Sequence, residues 1–176
     1  MNLSEYSIPA SALLERVKAI GVDHLVTVPD WVQLAFHTQM EAGGHGIHQI
    51  NACSENQCVT LAAGLTLGGK KPLVSMQNQG LYNCVNTLRA VCLDAHIPLV
   101  FLVGQFGREY ANLGQDSRQS RRTMVRVMEP LLDALDIPYF RLERPSDLGL
   151  LDQAYEVAQK RSTAAVALVG APMSWS

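Results

Sequence analysis

The sequence predicts an α/β fold, a three-layer αβα domain with a mostly parallel sheet of about six strands that spans residues 1–176. Three observations support this prediction. Apolar, strand-like segments alternate with amphipathic, helix-like segments, and the connections between them are short. The most apolar segment, 97–103, is typical of a central strand that is buried on both faces. A chain of 176 residues corresponds to about one domain, and it contains no internal repeat or linker.

The predicted elements follow one another from residue 9 onward. The strands are 24–28, 47–50, 73–76, 97–103, 138–142 and 164–169, and the helices are 9–20, 31–41, 55–67, 81–95, 123–135 and 146–161. The helices carry apolar residues every three or four positions, as Leu13, Val17 and Ile20 show in the first of them. Glycine ends the first helix at Gly21, and Ser146 is the predicted cap of the last.

Composition excludes several classes of protein. Apolar residues make up 48% and charged residues 17% of the chain, which is ordinary for a globular domain. The net charge of −2 argues against nucleic acid and anionic membrane surfaces as partners. No run reaches the ~20 apolar residues of a membrane span, and residues 1–9 do not resemble a signal peptide. The four cysteines fall in or beside helices, which predicts reduced core residues and a cytoplasmic location.

Polar segments follow each of the first three predicted strands. These segments are Pro29-Asp30, Asn51 to Glu55, and Gln77 to Gly80. Parallel sheets bind ligands at the carboxyl ends of their strands, because those ends lie at one edge of the sheet. We therefore expect the three segments to converge on one site.

Two acidic residues in these segments are open to two interpretations each. Glu55 lies in the first turn of a helix that Ser54 or Asn51 caps, where the helix dipole favours an acid. It is either a helix-start acid of that kind or a catalytic carboxylate at the sheet edge. Asp30 either caps the helix that begins near Trp31 or handles substrate and protons.

Several common motifs are missing from the sequence. It contains no Gly-x-Gly-x-x-Gly, no phosphate-binding Gly-x-x-x-x-Gly-Lys-[Ser/Thr] and no Gly-x-Ser-x-Gly elbow. His45 and His48 flank a glycine turn, which is a poor arrangement for a metal site. We therefore predict no metal-binding residue in this chain.

An ordered set of short segments carries a resemblance to a known family. They are Val28-Pro29-Asp30, Ser54-Glu55, Ala62-Ala63-Gly64, Gly68-Gly69-Lys70-Lys71-Pro72, Met76-Gln77-Asn78-Gln79-Gly80 with Asn83 and Asn86, and Leu131-Leu132-Asp133. Across about residues 10–170 the chain resembles the pyrimidine-binding domain of thiamine diphosphate enzymes, above all the sulfopyruvate decarboxylase alpha subunits and the phosphonopyruvate decarboxylases.

The resemblance implies roles for the polar segments. In this family a glutamate at the position of Glu55 hydrogen-bonds the pyrimidine N1′ of the cofactor. Such a role makes Glu55 the first catalytic candidate and Asp30 the second. Pro29 and the run Gln77, Asn78, Gln79 and Gly80 are then cofactor-binding residues of the pocket wall. Asn83 and Asn86 are expected only to satisfy backbone groups near the helix start.

The resemblance also implies a partner. Family members hold the diphosphate through Mg²⁺ on a Gly-Asp-Gly segment followed by an asparagine, and this sequence contains no Gly-Asp-Gly. We therefore expect a beta subunit to carry the diphosphate-binding domain and the Mg²⁺. Contacts between alpha subunits would then give at least an α2β2 assembly that acts on a small 2-oxo acid.

Two departures from the family pattern concern the substrate. Gln79 stands where the family usually has serine, and Arg118-Gln119-Ser120 replaces a Pro-Gln-His segment. Arg118, Arg121 and Arg122 either bind an acidic substrate group or belong to a solvated loop or an interface. The alternative function is a non-catalytic, small-molecule-binding or regulatory αβα subunit, in which Glu55 is only a helix-cap acid.

Overall fold

The computed structural model describes residues 3–176, and these residues contain one sheet of six parallel strands in the order β2-β1-β3-β4-β6-β5. The strands are β1 (His24–Thr27), β2 (His48–Asn51), β3 (Pro72–Gln77), β4 (Leu99–Gly104), β5 (Tyr139–Leu142) and β6 (Ala164–Val169). β3 and β4 lie at the middle of the sheet, and every residue of β4 is buried, as its apolar sequence predicts. The predicted αβα fold with a parallel sheet is confirmed.

Helices cover both faces of the sheet. They are α1 (Ala10–Ile20), α2 (Leu34–Ala42), α3 (Glu55–Leu67), α4 (Asn78–Asn83), α5 (Val85–Leu88), α6 (Thr123–Arg126), α7 (Met128–Ala134) and α8 (Leu150–Arg161). A π-helical turn, Arg89–Asp94, continues α5, and 3-10 turns occupy Leu3–Tyr6, Tyr110–Asn112, Ser117–Gln119 and Pro145–Gly149.

The two core clusters follow from the alternation of side chains along each strand. On β4, Val100 and Leu102 pack in the cluster formed with α1, α2 and α8, whereas Phe101 and Val103 pack in the cluster formed with α3, α4, α5 and α7. Successive side chains of a strand point to opposite faces, so a fully apolar strand serves both clusters.

The strand register brings the functional segments to one edge. Thr27 of β1 pairs with Asn51 of β2 and with Ser75 of β3, and Gln77 of β3 pairs with Gly104 of β4. The four strands therefore end at nearly the same level. The segments that follow them leave from the same carboxyl edge, as the sequence predicts.

Several predicted boundaries are wrong. The expected loop at Gln77–Gly80 does not form, because β3 ends at Gln77 and α4 begins at Asn78. The expected helix 31–41 begins only at Leu34, because Asp30 Oδ1 accepts the backbone N–H of Gln33 at 2.9 Å and holds a turn in between.

The last helix also starts later than predicted, and Ser146 does not cap it. A 3-10 turn, Pro145–Gly149, precedes α8. Asp147 Oδ2 accepts the backbone N–H groups of Glu143 and Arg144, at 3.0 and 2.9 Å. Searched over residues 3–176, the helices include none with the length and apolar character that crossing a membrane requires.

Candidate active site

A polar cavity of about 340 Å³ lies at the carboxyl edge of β1 and β3, within the size range of small-molecule sites. It is lined by Val28, Pro29, Glu55, Gln77, Gln79, Gly80 and Asn83. Five of these seven residues, all except Val28 and Asn83, are site residues that the sequence predicts. The fold thus brings most of the predicted site into one cavity.

The start of α3 positions Glu55 at this cavity. Ser54 has extended backbone angles, and its side chain accepts the N–H of Gln57 at 3.4 Å, which confirms it as the N-cap. Gln57 Oε1 in turn accepts the N–H of Cys53 at 2.9 Å. Glu55 is consequently the first residue of the helix, where the helix dipole favours a negative charge.

Two residues of α4 enclose the half-buried carboxylate of Glu55. Asn83 Nδ2 donates a hydrogen bond to Glu55 Oε2 at 3.0 Å. On the other side, a Cβ atom at Gly80 would lie 2.6 Å from Glu55 Oε1 and 2.8 Å from Cδ. Only glycine leaves room for this position of the carboxylate, so Gly80 and Asn83 together define where it lies.

Asn83 is a site residue that sequence reasoning missed. Asn83 and Asn86 were both expected to bond only backbone groups, but Asn83 lines the cavity and contacts Glu55. Asn86 instead accepts hydrogen bonds from Arg89 on the exposed surface, at 3.4 and 3.2 Å. The available signal was the three-residue spacing between Gly80 and Asn83, which places them on one face of a helix.

Asp30 does not line the cavity. It is 4% exposed and lies beneath Gly104, where a Cβ atom would be 2.6 Å from Asp30 Oδ2. Its carboxylate accepts the backbone N–H of Gln33 and the Gln33 side-chain amide, and Ser75 Oγ donates to Gln33 Oε1 at 3.1 Å. These contacts favour the turn-capping interpretation, and a catalytic role for Asp30 stays a prediction.

The ionisation of Asp30 provides a stability test. Burial raises the pKa of this carboxyl from 3.8 to about 6. The folded chain therefore binds the proton more tightly than the unfolded chain. The stabilisation that this proton gives the fold is fully present below pH 4 and is lost as the pH rises through 6. A rise in pKa from 3.8 to about 6 corresponds to about 3 kcal/mol of free energy of unfolding. As the pH rises from 4 to 8, the free energy of unfolding of Asp30→Asn should therefore increase by about this much relative to that of the natural chain.

Urea unfolding of both proteins across this pH range measures that difference, because the other titrating groups cancel between them. The matched control is Asp133→Asn, which removes an exposed carboxyl. Over the same pH range, its difference in free energy of unfolding from the natural chain should change by less than about 1 kcal/mol. A natural-minus-variant difference that stays constant with pH would show that Asp30 does not titrate in this window.

Asn78 also lies behind the cavity wall rather than in it. It is fully buried, and its Nδ2 donates to the carbonyl oxygens of Phe106 and Met124 at 3.0 and 3.2 Å. Its Oδ1 accepts the N–H of Gln79 at 2.9 Å. Asn78 thereby joins both ends of the long segment between β4 and α6 to the turn that carries Gln79.

The long segment after β4 contains Arg118, Arg121 and Arg122, and their contacts differ. Arg118 is held away from the cavity, since its guanidinium donates to Asp133 Oδ2 at 2.6 Å and to the Tyr139 hydroxyl at 3.0 Å. Arg121 and Arg122 are exposed. Within residues 3–176, neither of their guanidinium groups has a salt bridge or hydrogen bond. A substrate role is therefore least compatible with Arg118.

A second cavity, also of about 340 Å³, lies within this segment and includes Glu109, Ser120 and Arg121 in its lining. The carboxylate of Glu109 already accepts Ser120 Oγ at 2.7 Å and the N–H of Arg121 at 2.8 Å. This cavity contains none of the predicted catalytic or cofactor-binding residues. We therefore place the candidate site at the sheet edge around Glu55.

The three buried cysteines are poor nucleophiles. Burial, and then the negative charge of Glu55, raise the pKa of the Cys58 and Cys84 thiols to about 12, and burial does the same for Cys92. The prediction of reduced core cysteines is met by these three, whereas Cys53 is exposed. Over the part of the chain that the structure describes, no group of three or more His, Cys, Asp or Glu side chains is placed to bind a metal ion.

Comparison with known proteins agrees with this geometry. A family model described as thiamine pyrophosphate enzyme, N-terminal TPP binding domain, matches residues 9–129, which is more than half of the chain. The chain belongs to this family. Thiamine pyrophosphate is another name for thiamine diphosphate, so the family that the sequence motifs predict is confirmed.

Two proteins of known name are similar to this chain in sequence. The sulfopyruvate decarboxylase subunit alpha of Methanothermobacter thermautotrophicus is 28% identical over 138 residues, which are 78% of this chain and 80% of that protein. A sulfopyruvate decarboxylase of Methanosarcina acetivorans is 24% identical over 95% of this chain, but the match covers only 41% of that protein.

A solved structure shows the same fold. The thiamine diphosphate-dependent 4-hydroxybenzoylformate decarboxylase of Rhodococcus jostii superposes with a TM-score of 0.66 at 18% sequence identity. The superposition covers 95% of this chain and 31% of that one. The chain thus spans less than a third of that decarboxylase chain.

Proposed function

We propose that this chain is the alpha subunit of a two-chain, thiamine-diphosphate-dependent 2-oxo acid decarboxylase of the sulfopyruvate or phosphonopyruvate type. The observation that carries the proposal is the position of Glu55, a half-buried carboxylate in the wall of a polar cavity in a chain of this family. The names of the relatives give the reaction type.

Glu55 is the proposed catalytic residue. Its carboxyl group would hydrogen-bond the pyrimidine N1′ of the cofactor and share its own proton with that nitrogen. When bound, the cofactor supplies the electron sink for decarboxylation. Because Asn83 already donates to Glu55 Oε2, one carboxylate oxygen is held by the protein while the other stays available.

The remaining cavity residues form the cofactor-binding wall in this proposal. Pro29, Gln77, Gln79 and Gly80 line the cavity directly. Asn78 supports the wall through Gln79, and Asp30 supports it through the turn at Gln33. The residues present therefore fit the aminopyrimidine half of the cofactor, which needs a carboxylate beside its ring nitrogen.

The diphosphate half of the cofactor requires other residues. The seven lining residues include one acid and no lysine or arginine, so they offer neither a charge match for a diphosphate nor an oxygen cluster for Mg²⁺. We propose that a beta subunit supplies both, that alpha subunits associate with each other, and that the complex is cytoplasmic. The longer Methanosarcina relative has room for both halves in a single chain.

Calorimetric titration tests the proposal. The chain alone should bind thiamine diphosphate and Mg²⁺ weakly or not at all. Adding a beta subunit that carries Gly-Asp-Gly should tighten binding on the order of 10²-fold or more, because the partner supplies the ligands for the charged half of the cofactor. The complex should then release CO₂ from 2-oxo acids.

The titration and the assay of CO₂ release together discriminate between the two functions considered. Tight, Mg²⁺-dependent binding by the lone chain would contradict the half-site proposal. A complex that binds the cofactor but decarboxylates no 2-oxo acid, with pyruvate, sulfopyruvate and phosphonopyruvate as substrates, would favour a non-catalytic subunit.

A further inference from the structure

We propose that Asn83 is a positioning residue for Glu55: it holds Oε2 of the carboxylate, so that Oε1 is the oxygen presented to the pyrimidine ring. This inference rests on the proposed function, and it assigns a role to a residue that the sequence analysis expected only to satisfy backbone groups. Three features of the site support it.

The first feature is the asymmetry of the carboxylate. Oε2 accepts a hydrogen bond of 3.0 Å from Asn83 Nδ2. Oε1 lies over Gly80, where a Cβ atom would be only 2.6 Å away, and no described residue donates a hydrogen bond to it. The protein therefore satisfies one oxygen and leaves the other free within the cavity.

The second feature is the anchoring of Asn83 itself. Its carbonyl oxygen accepts a hydrogen bond from Asn56 Nδ2 at 3.4 Å, and Asn56 Oδ1 accepts one from Thr87 Oγ1. Glu55 and Asn56 are neighbours in the first turn of α3, so this turn contacts both the side chain and the main chain of Asn83. The distance between Glu55 and Asn83 is thereby fixed twice.

The third feature is that the residues concerned line one cavity. Glu55, Gly80 and Asn83 all line it, and the last two are one helical turn apart on α4. A glutamate side chain has three rotatable bonds, and the reaction slows when the carboxylate moves away from the reacting atom. A donor on one oxygen and a glycine beneath the other remove that freedom.

Three variants test the inference in the assembled enzyme. Asn83→Ala removes the donor and should lower kcat on the order of 10- to 100-fold. Asn83→Ser can still donate and should recover part of that loss. Asn86→Ala is the matched control and should leave kcat unchanged, because among the described residues the Asn86 side chain bonds only Arg89.

The pH dependence of activity in Asn83→Asp is a measurement that a purely structural role of Asn83 would leave unchanged. This change keeps the shape of the side chain but places a second carboxylate about 3 Å from Glu55, a distance at which two carboxyl groups resist ionising together. Activity should be lost at neutral pH and should recover in part as the pH is lowered, because one proton shared by the pair restores the hydrogen bond.

A measurement without cofactor or turnover tests the contact directly. In the lone chain, the Asn83 side-chain amide resonances should shift in Glu55→Gln and stay in place in Glu156→Gln. Unchanged resonances in Glu55→Gln, or kcat and pH profiles of Asn83→Ala and Asn83→Asp that match the natural complex, would overturn the inference. Failure of the natural complex to bind thiamine diphosphate would instead contradict the proposed function.

Discussion

Glu55→Gln is expected to lower kcat of the assembled enzyme on the order of 10²-fold or more, with the fold unchanged. Glutamine has nearly the size of glutamate, so it keeps the packing against Gly80 and Asn83. It cannot share a proton with the pyrimidine N1′, which is the contribution that we assign to the carboxylate. Initial rates of CO₂ release at saturating cofactor and Mg²⁺ measure the effect.

The matched control for this variant is Glu156→Gln. Glu156 lies on the exposed side of α8, and no hydrogen bond or salt bridge involving its carboxylate is found in residues 3–176. This control should retain the natural kcat. A Glu55→Gln enzyme with near-normal turnover would contradict the catalytic role of Glu55.

Gly80→Ala is expected to reduce kcat by a comparable factor, on the order of 10²-fold, through displacement of the Glu55 carboxylate. The added Cβ would lie 2.6 Å from Oε1 and 2.8 Å from Cδ, both closer than real Cβ contacts. The atoms in its way belong to a flexible side chain, so Glu55 should move and the backbone should stay.

A thermal unfolding measurement distinguishes this loss of kcat from unfolding of the variant. Alanine favours a helix over glycine by about 1 kcal/mol, so the midpoint of thermal unfolding of Gly80→Ala should stay near the natural value. Gly64→Ala is the matched control, because an added Cβ at this exposed position of α3 would meet nothing within 4 Å. It should leave kcat unchanged. Full activity in Gly80→Ala would show that the position of the Glu55 carboxylate does not matter.

The sheet and the location of the site could be predicted from the sequence because they depend on local patterns. Alternation of apolar strands with amphipathic helices fixes a parallel sheet, and the carboxyl edge follows from that topology. The placement of Glu55 was equally local, since Ser54 caps the helix that Glu55 begins.

The remaining residues depend on contacts between distant segments. Asn78 was expected in the cavity wall, but the carbonyl groups of Phe106 and Met124 hold it behind the wall. Asp30 lies beneath Gly104, which follows it by 74 positions. Arg118 is held by Asp133 and Tyr139, which follow it by 15 and 21 positions. Such pairings leave no periodic signal in one sequence.

Asn83 was missed for a different reason. Placing the helix start at Leu81 rather than at Asn78 hid the fact that Gly80 and Asn83 belong to the same helix. Gln77-Asn78-Gln79-Gly80 has the composition of a loop, but burial of Asn78 and Gly80 turns it into the end of a strand and the first turn of a helix.

Exchange of the thiazolium C2 proton of bound thiamine diphosphate for deuterium, followed by rapid quenching and NMR, tests the central claim most directly. It reports activation of the cofactor without substrate or product release. The proposed role of Glu55 predicts fast exchange in the natural complex, and exchange slower by on the order of 10²-fold in Glu55→Gln at equal cofactor occupancy. Equal exchange rates in the two complexes would contradict it.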